Sequence, residues 1–435
     1  MNYFSSDSAL VSYLQGGAGS MPRSQQSKNQ DVISVADFGI LGDNSTDNTA
    51  KMAALQSYLA GLTVQPIITW PQGIYLYSAS PNWALNHARH IAMGEVRLRY
   101  TGTGNAVILD AGSGSQNISD VTFGTPGNPF IIEPAATATN ACFVRAVHHS
   151  TIAIKARAAG ASSAGLSVNF AVCTKFYVTC SVNEDGGWYG GTQPTYGIYL
   201  TQRNASEQVS YCTFYTPIIE GPVNGIYLDQ ADGNLFLSGT AEGCANIGVT
   251  LTANSTRNTF ENMDFEVNTV SDWDDSGVQN TMIKCDTNKL ATIKGTNGEI
   301  HGGSHSAITV AGTSTGAWLH DLRYNRNGSG AAITDNGALT RKQGCFNAVS
   351  GYDGPAAAFA ITPSAGTYTN NKTVNVGVAM SGGTVTSVTL TRGGTGTSVY
   401  SGASLGSGIF ETSPGDVLTW TGNPSVANGY PRVSV

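Results

Sequence analysis

The chain has 435 residues, a formal net charge of −7 and only 12% charged residues, against 53 glycines and 9% aromatics. It has no basic run to neutralise phosphates, which argues against a nucleic-acid partner. No apolar run approaches bilayer length, so no helical membrane span is expected. Low charge with abundant Gly, Ser, Thr and Asn suits a β-rich chain.

The opening segment, Met1-Asn2-Tyr3-Phe4-Ser5-Ser6-Asp7, has neither a basic region nor an apolar core, so no signal peptide is expected. Residues 1–30 are rich in Ser, Gly and Gln and read as a linker or docking arm, with a short helix expected only over 9–14. Then comes a distinctive block, Val35-Ala36-Asp37-Phe38-Gly39 and Gly42-Asp43-Asn44-Ser45-Thr46-Asp47-Asn48-Thr49. It leads into a helical pattern over 50–60, with Met52, Leu55, Tyr58 and Leu59 on one face and Thr46 or Asp47 as its N-cap. A strand, a turn at Pro71-Gln72-Gly73 and a second strand through Tyr77 follow.

This block resembles the opening signature of pectate-lyase-like right-handed β-helix proteins, in the form found in bacteriophage tailspikes and capsule depolymerases. Asp37-Phe38-Gly39, Gly42-Asp43, Thr46-Asp47, Thr49-Ala50 and Pro71-Gln72-Gly73-Ile74-Tyr75 carry the likeness. Asn44 stands where the pattern has glycine, and Asn48 where it has aspartate. The signature covers about 45 residues and holds no catalytic group. Its acids are expected to cap turns and the helix end, and the helix to cover the open end of a solenoid.

Strands are expected over 96–100, 106–109, 118–123, 142–147 and 151–154. His148-His149 has no third ligand at metal spacing and reads as a polar turn. A glycine-rich loop then presents Trp188 and Tyr189, which suit stacking on a sugar ring.

From Gly197 the chain repeats. Gly197-Ile198-Tyr199-Leu200 returns as Gly225-Ile226-Tyr227-Leu228 and as Gly248-Val249-Thr250-Leu251, with weaker copies at Met282-Ile283-Lys284-Cys285 and Ala307-Ile308-Thr309-Val310. Period-two alternation in short segments, repeated every 22–25 residues or so, is one coil of a parallel β-helix. A glutamate recurs at Glu220, Glu242, Glu266 and Glu299, the last interval holding an apparent insertion. Residues 181–280 hold thirteen Asp and Glu against Arg203 and Arg257. A second insertion, 268–279, sets Asp272, Asp274 and Asp275 around Trp273, which suits a sugar or Ca²⁺, though not at calcium-loop spacing.

Past residue 350 the pattern changes to strands separated by Gly382-Gly383 and Gly393-Gly394, a small antiparallel β domain. The expected organisation is therefore an arm over 1–30, a parallel β-helix over 31–350 and a β domain over 351–435 that trimerises or binds sugar. Seven cysteines without a CxxC pair read as buried free thiols.

Alternation turns the glutamates outward, since their flanks (Ala241 and Gly243, Phe265 and Val267) belong inside. Acids on adjacent coils, such as Glu242 and Glu266, then stand about 5 Å apart, the separation of a retaining glycosidase pair, while a diagonal such as Glu220 with Asp264 is expected to reach the inverting range. Glu242 and Glu266 are the expected acid and partner, with Asp264 and Glu220 as alternates, and Trp188, Tyr189, Tyr227, Asp229 and Trp273 as substrate contacts. No metal or other cofactor is expected.

Taken with the resemblance, this implies a phage tailspike on the virion that depolymerises a bacterial surface polysaccharide, by hydrolysis rather than elimination. It would act as a homotrimer beside other tail proteins, and outward Tyr199 and Tyr227 supply area for subunit contact. The alternatives are a receptor-binding fibre without catalysis and a polysaccharide lyase.

Overall fold

The computed structural model describes residues 12–13, 21–24, 31–157, 164–182, 187–191, 193–322, 332–343, 345–347, 351–353, 359–361, 366–370, 375–381, 383–402, 405 and 407–432. Most of the 1–30 arm, and residues 183–186 and 192 of the glycine-rich loop, lie outside them. The chain divides into two compact units, Met1–Gly298 and Glu299–Val435.

The first unit is a parallel β-helix. Val32–Ser34 pairs with Ile67–Tyr77, which pairs in turn with Arg89–Tyr100. The helix Thr49–Ala60 buries Met52, Leu55 and Leu59, while Tyr58 stays partly exposed and packs on Phe38 at 5.3 Å. Its N-cap position is Asn48 rather than Thr46 or Asp47. Asp47 still accepts the Thr49 amide at 2.9 Å, and the buried Asn48 side chain bonds the Leu41 amide and three carbonyls. Asp37 closes a capping box with Ser34, and Asp43 accepts the Ser45 and Thr46 amides and the Thr46 hydroxyl. Those bonds hold the Asp43 carboxyl well below the usual range. The signature acids are turn and helix caps, and the Asn at position 48 stitches the block together. In the arm, Ser12–Tyr13 pairs antiparallel with Arg23–Ser24, where a short helix was expected. Two residues shared with a partner strand outweigh a weak local helix preference.

Between residues 164 and 293 each coil presents three faces. The first stacks Lys175–Cys180, Thr213–Tyr215, Leu235–Leu237, Thr259–Glu261 and Thr281–Ile283. The second stacks Ile218–Glu220, Thr240–Glu242, Asp264–Glu266 and the start of Asp286–Ile293. The third stacks Ala164–Val168, Tyr196–Leu200, Asn224–Leu228, Ile247–Leu251 and Ser271–Asp275. Side chains inside align at the strand spacing: Phe176, Phe214, Phe236 and Phe260 stack in file with centroids 4.7, 4.4 and 4.4 Å apart. Buried Asn234, Asn258 and Asn280 form a second file, each passing hydrogen bonds to the next. Gly opens each copy of the Ile-Tyr-Leu line because the coils close up there: a Cβ on Gly225 would lie 2.3 Å from the Gly248 carbonyl oxygen.

The third face corrects the reading of two segments. Met282 continues the phenylalanine file of the first face (Phe260↔Met282), so residues 282–285 are no copy of the Gly-Ile-Tyr-Leu line. The fourth copy is Ser271–Asp275, with Val249↔Trp273 and Leu251↔Asp275, so residues 268–279 are a coil and not an insertion.

In the second unit, Glu299–His301, Trp318–His320 and Arg341–Gln343 stack in parallel, as do Ser304–Val310 and Ala332–Asp335. Two four-stranded antiparallel sheets follow, as expected, around a core that includes Val376, Val378, Val388, Leu418 and Trp420. Cys142, Cys180, Cys212, Cys244, Cys285 and Cys345 are buried free thiols, while Cys173 is exposed. No described helix is long and apolar enough to cross a membrane.

Candidate carbohydrate site on an acidic ladder

Two strands of the second face, Ile218–Glu220 and Thr240–Glu242, are three residues long and are followed by left-handed glycines, Gly221 and Gly243. One inward residue per coil anchors each strand: Ile219, Ala241 and Phe265 are fully buried. The residues on either side must then face out. Register makes the outcome definite. Glu220 opposes Glu242, and Glu242 opposes Glu266. In the parallel row, Thr240 opposes Asp264, and Asp264 opposes Asp286.

Glu242 is the middle rung. Burial pushes its carboxyl up, and Glu220, Glu266 and Asp264 push it further, while a 3.3 Å bond from the Thr240 hydroxyl pulls weakly the other way. Among the rungs it is therefore the one best suited to hold a proton. Glu266 accepts a 3.1 Å bond from the Asn288 side-chain amide. Asn288 occupies the next rung, where the count of glutamates leads to Glu299; Glu299 opposes Trp318 within the second unit. Strand geometry puts neighbouring rungs about 5 Å apart and the Glu242–Asp264 diagonal about 8 Å apart at the backbone. Glu220 and Asp264 are two coils and two residues apart, about 12 Å, which is too long for the diagonal expected of them. Thr240, two residues before Glu242 on its strand, and Asn288, 22 residues past Glu266, fall on the alternation and the period, but neither residue type marks a catalytic group.

Trp188 lies at the ladder's end. A Cβ on Gly221 would sit 3.7 Å from its indole, and Gln193 of the same loop donates to the Gly221 carbonyl. Tyr189 is held elsewhere, its ring 5.1 Å from the Arg99 guanidinium, so it anchors the loop. Around the Gly221–Pro222 corner, on the third face, Tyr196, Tyr199 and Tyr227 form a half-buried cluster with centroids 4.9 to 5.7 Å apart. Asp229 adjoins it, takes a 3.1 Å bond from Thr252 and, after burial and neighbouring tyrosines, helps push the Tyr227 hydroxyl up.

Trp273 is not a sugar platform. It is 1% exposed and packs edge-on to Phe260 at 4.9 Å, because the third-face register turns position 273 inward with Val249. The aspartates around it are also committed. Asp272 accepts the Asn268 side-chain amide and the Asn288 and Lys289 backbone amides, and Asp274 pairs with Lys294 at 2.7 Å. Asp275 is buried, takes bonds from Gly277 and Asn280, and is pushed up to about 6 by burial. These bonds commit the three carboxylates to turns and to Lys294. The two arginines of the acidic stretch lie off the ladder: Arg203 is paired with Glu207 at 2.6 Å, and Arg257 with Asp232 at 2.5 Å.

A scan against protein-family models gives no match, nor does a comparison with curated proteins. Solved structures do match. ORF18 of Geobacillus virus E2 is similar over 94% of this chain and 80% of its own, at 12% identity and a TM-score of 0.52. A DFA-IIIase of Arthrobacter chlorophenolicus A6, solved without its lid in complex with GF2, covers 73% of this chain and 95% of its own at 9% identity and TM-score 0.47. Tailspike protein 3 of bacteriophage CBA120 covers 78% of this chain and 66% of its own at 14% identity and TM-score 0.31. At these identities the likeness is one of fold: the chain is a parallel β-helix of the kind present in a virus protein of similar extent.

Proposed function

We propose that the protein is a virion tailspike that binds and cleaves a bacterial surface polysaccharide at the acidic ladder. The observation that carries this reading is the Glu220–Glu242–Glu266 register, with the middle carboxyl pushed toward its protonated form by burial and then by its neighbours. Glu242 donates the proton to the leaving glycosidic oxygen. Glu266, about 5 Å away, attacks the anomeric carbon in a retaining reaction; with Asp264 as base to a water, the longer diagonal serves inversion instead. Trp188 and the Tyr227 cluster with Asp229 supply flat apolar faces and an acceptor for sugar rings on either side of the acids. Elimination fits less well, because Arg203 and Arg257 are committed to ion pairs away from the ladder. The fold shared with a virus protein supports a place on the virion; residues 1–30 are the proposed attachment arm, other tail proteins the neighbours, and a homotrimer the assembly.

A reducing-end assay on purified capsule, exopolysaccharide and lipopolysaccharide, run with wild type and with Glu242→Gln, Glu266→Gln, Asp264→Asn and Glu220→Gln, tests this. New reducing ends from wild type and a loss of at least about 10²-fold in Glu242→Gln support hydrolysis. If all four variants keep full turnover, the ladder is structural. The second reading is a receptor-binding fibre without catalysis, favoured by the tyrosine cluster. It predicts glycan binding by wild type, unchanged in the carboxamide variants, with no reducing ends released.

A further inference from the structure

In the second unit, parallel register brings two imidazoles and two carboxylates to one outer surface. Glu299 and His301 alternate outward on one strand, and His301 lies opposite His320 on the next coil. One donor atom from each of these three residues lies within 4.8 Å of the others. His320 Nε2 is 2.5 Å from Glu299 Oε1. Asp321 stands at the same corner, its Oδ2 3.5 Å from His301 Nε2 and 3.8 Å from His320 Nδ1. The His320 ring is fixed on both sides, by His301 at 3.9 Å and by Trp318 at 4.6 Å, each near parallel. That sandwich settles the ring's plane before any ligand arrives.

We propose that Glu299, His301 and His320 bind a first-row divalent cation of the Zn²⁺ class, with Asp321 or water completing the shell. Two imidazoles and a carboxylate are the donor set such ions take, with bonds of about 2.0–2.2 Å, hence donors about 3.4 Å apart around a tetrahedral ion. Reaching that spacing means opening the His320 Nε2–Glu299 Oε1 contact from 2.5 Å and drawing in the donors that now lie within 4.8 Å of one another. The positive ion also replaces a stacked imidazole pair and two nearby carboxylates with a neutralised cluster, and it ties two consecutive coils together. Calcium and magnesium, which take oxygen ligands, are the wrong class for this set.

The test is calorimetric titration of ZnCl₂ into full-length, tag-free, EDTA-treated protein, beside His320→Ala, His301→Gln and Cys173→Ser, the last removing the exposed thiol. The expected result is one Zn²⁺ per chain, affinity lowered at least about 10²-fold in each histidine variant and unchanged in Cys173→Ser. MgCl₂ should give no saturable binding. Melting curves in EDTA show which variants remain folded. Should His320→Ala fail to fold, the half-exposed His301→Gln decides. Three outcomes overturn the proposal: no saturable Zn²⁺ binding by wild type, equal affinity in the folded histidine variants, or binding lost with Cys173. In each the cluster is a hydrogen-bonded Glu–His pair with a stacked neighbour and nothing more.

Discussion

Glu242→Gln separates a catalytic acid from a turn cap, because the two roles move stability in opposite directions. In the folded chain Glu242 has an acid on the coil before it, Glu220, and on the coil after it, Glu266. Its carboxyl is raised first by burial and then by those charges. A raised folded value means that ionisation costs stability as pH climbs through it, and that the cost is absent below the unfolded value of about 4. Like charges opposed across a strand pair cost roughly 0.2–1 kcal/mol each, so relief of two gives about 1 kcal/mol. Glutamine keeps the shape and removes the charge. The variant should therefore melt up to about 2 °C higher than wild type at pH 7, and at the same temperature as wild type below about pH 4. In 1 M salt, where the screening length falls to about 3 Å, most of the gain at pH 7 should vanish. Turnover should meanwhile drop at least about 10²-fold. Scanning calorimetry at the two pH values, paired with the reducing-end assay, reads both. A variant that is less stable at pH 7 refutes the charge argument and marks Glu242 as a cap. One that is more stable yet fully active refutes the catalytic assignment alone.

Trp273→Ala should cost about 3–5 kcal/mol by urea denaturation, since it empties a core site, whereas Trp188→Ala should leave stability within about 0.5 kcal/mol and weaken glycan binding ~10-fold. Equal stability loss in the two would contradict their opposite placements. Asn258→Ala breaks the buried amide file at its centre, leaving the Asn234 backbone amide without its acceptor and the Ala231 carbonyl with the Thr256 amide alone, and should cost about 3 kcal/mol. Sedimentation at micromolar concentration should give three times the chain mass; a monomer there would remove the homotrimer.

The coils were legible because a solenoid writes its pattern locally. Ile198, Ile226 and Val249 recur at one period, and the outward turn of Glu242 and Glu266 followed from Ala241 and Phe265 having to face in. Trp273 was misread for the same reason. Its neighbours Asp272, Asp274 and Asp275 look like a solvated loop, yet Asp272 and Asp275 are among the most buried acids of the chain. Their charges are matched by backbone amides of Asn288, Lys289 and Gly277, and such partners have no side-chain signature in a sequence. The hydrogen-bond partner of Glu266 was hidden in another way. Asn288 lies 22 residues past Glu266, the same step as from Glu220 to Glu242, but the rung there is an asparagine, so a count that follows glutamates skips to Glu299. The period carries the ladder on to position 288; following one residue type loses it there.

The same register rule carries an argument about where chemistry can sit on this fold. An inward position is filled by its neighbours above and below, as the phenylalanine and asparagine files are, so a change there is felt on three coils at once. An outward position meets only its own file of neighbours and water. Acids can thus be placed about 5 Å apart along one face without disturbing what holds the coils. The ladder at Glu220, Glu242 and Glu266, opposite one another across coils, and the cluster at Glu299, His301 and His320, two apart on one strand and opposite across a coil, both use this freedom. Because the spacing along the file is fixed by the backbone, substitution within a rung tunes charge and leaves distance alone. Glu220→Gln should therefore lower the Glu242 carboxyl toward its ordinary range and shift the alkaline limb of any cleavage profile, where the proton donor is lost, to lower pH, without altering the Glu242–Glu266 separation. An unmoved limb beside normal turnover would mean that the proton comes from another group.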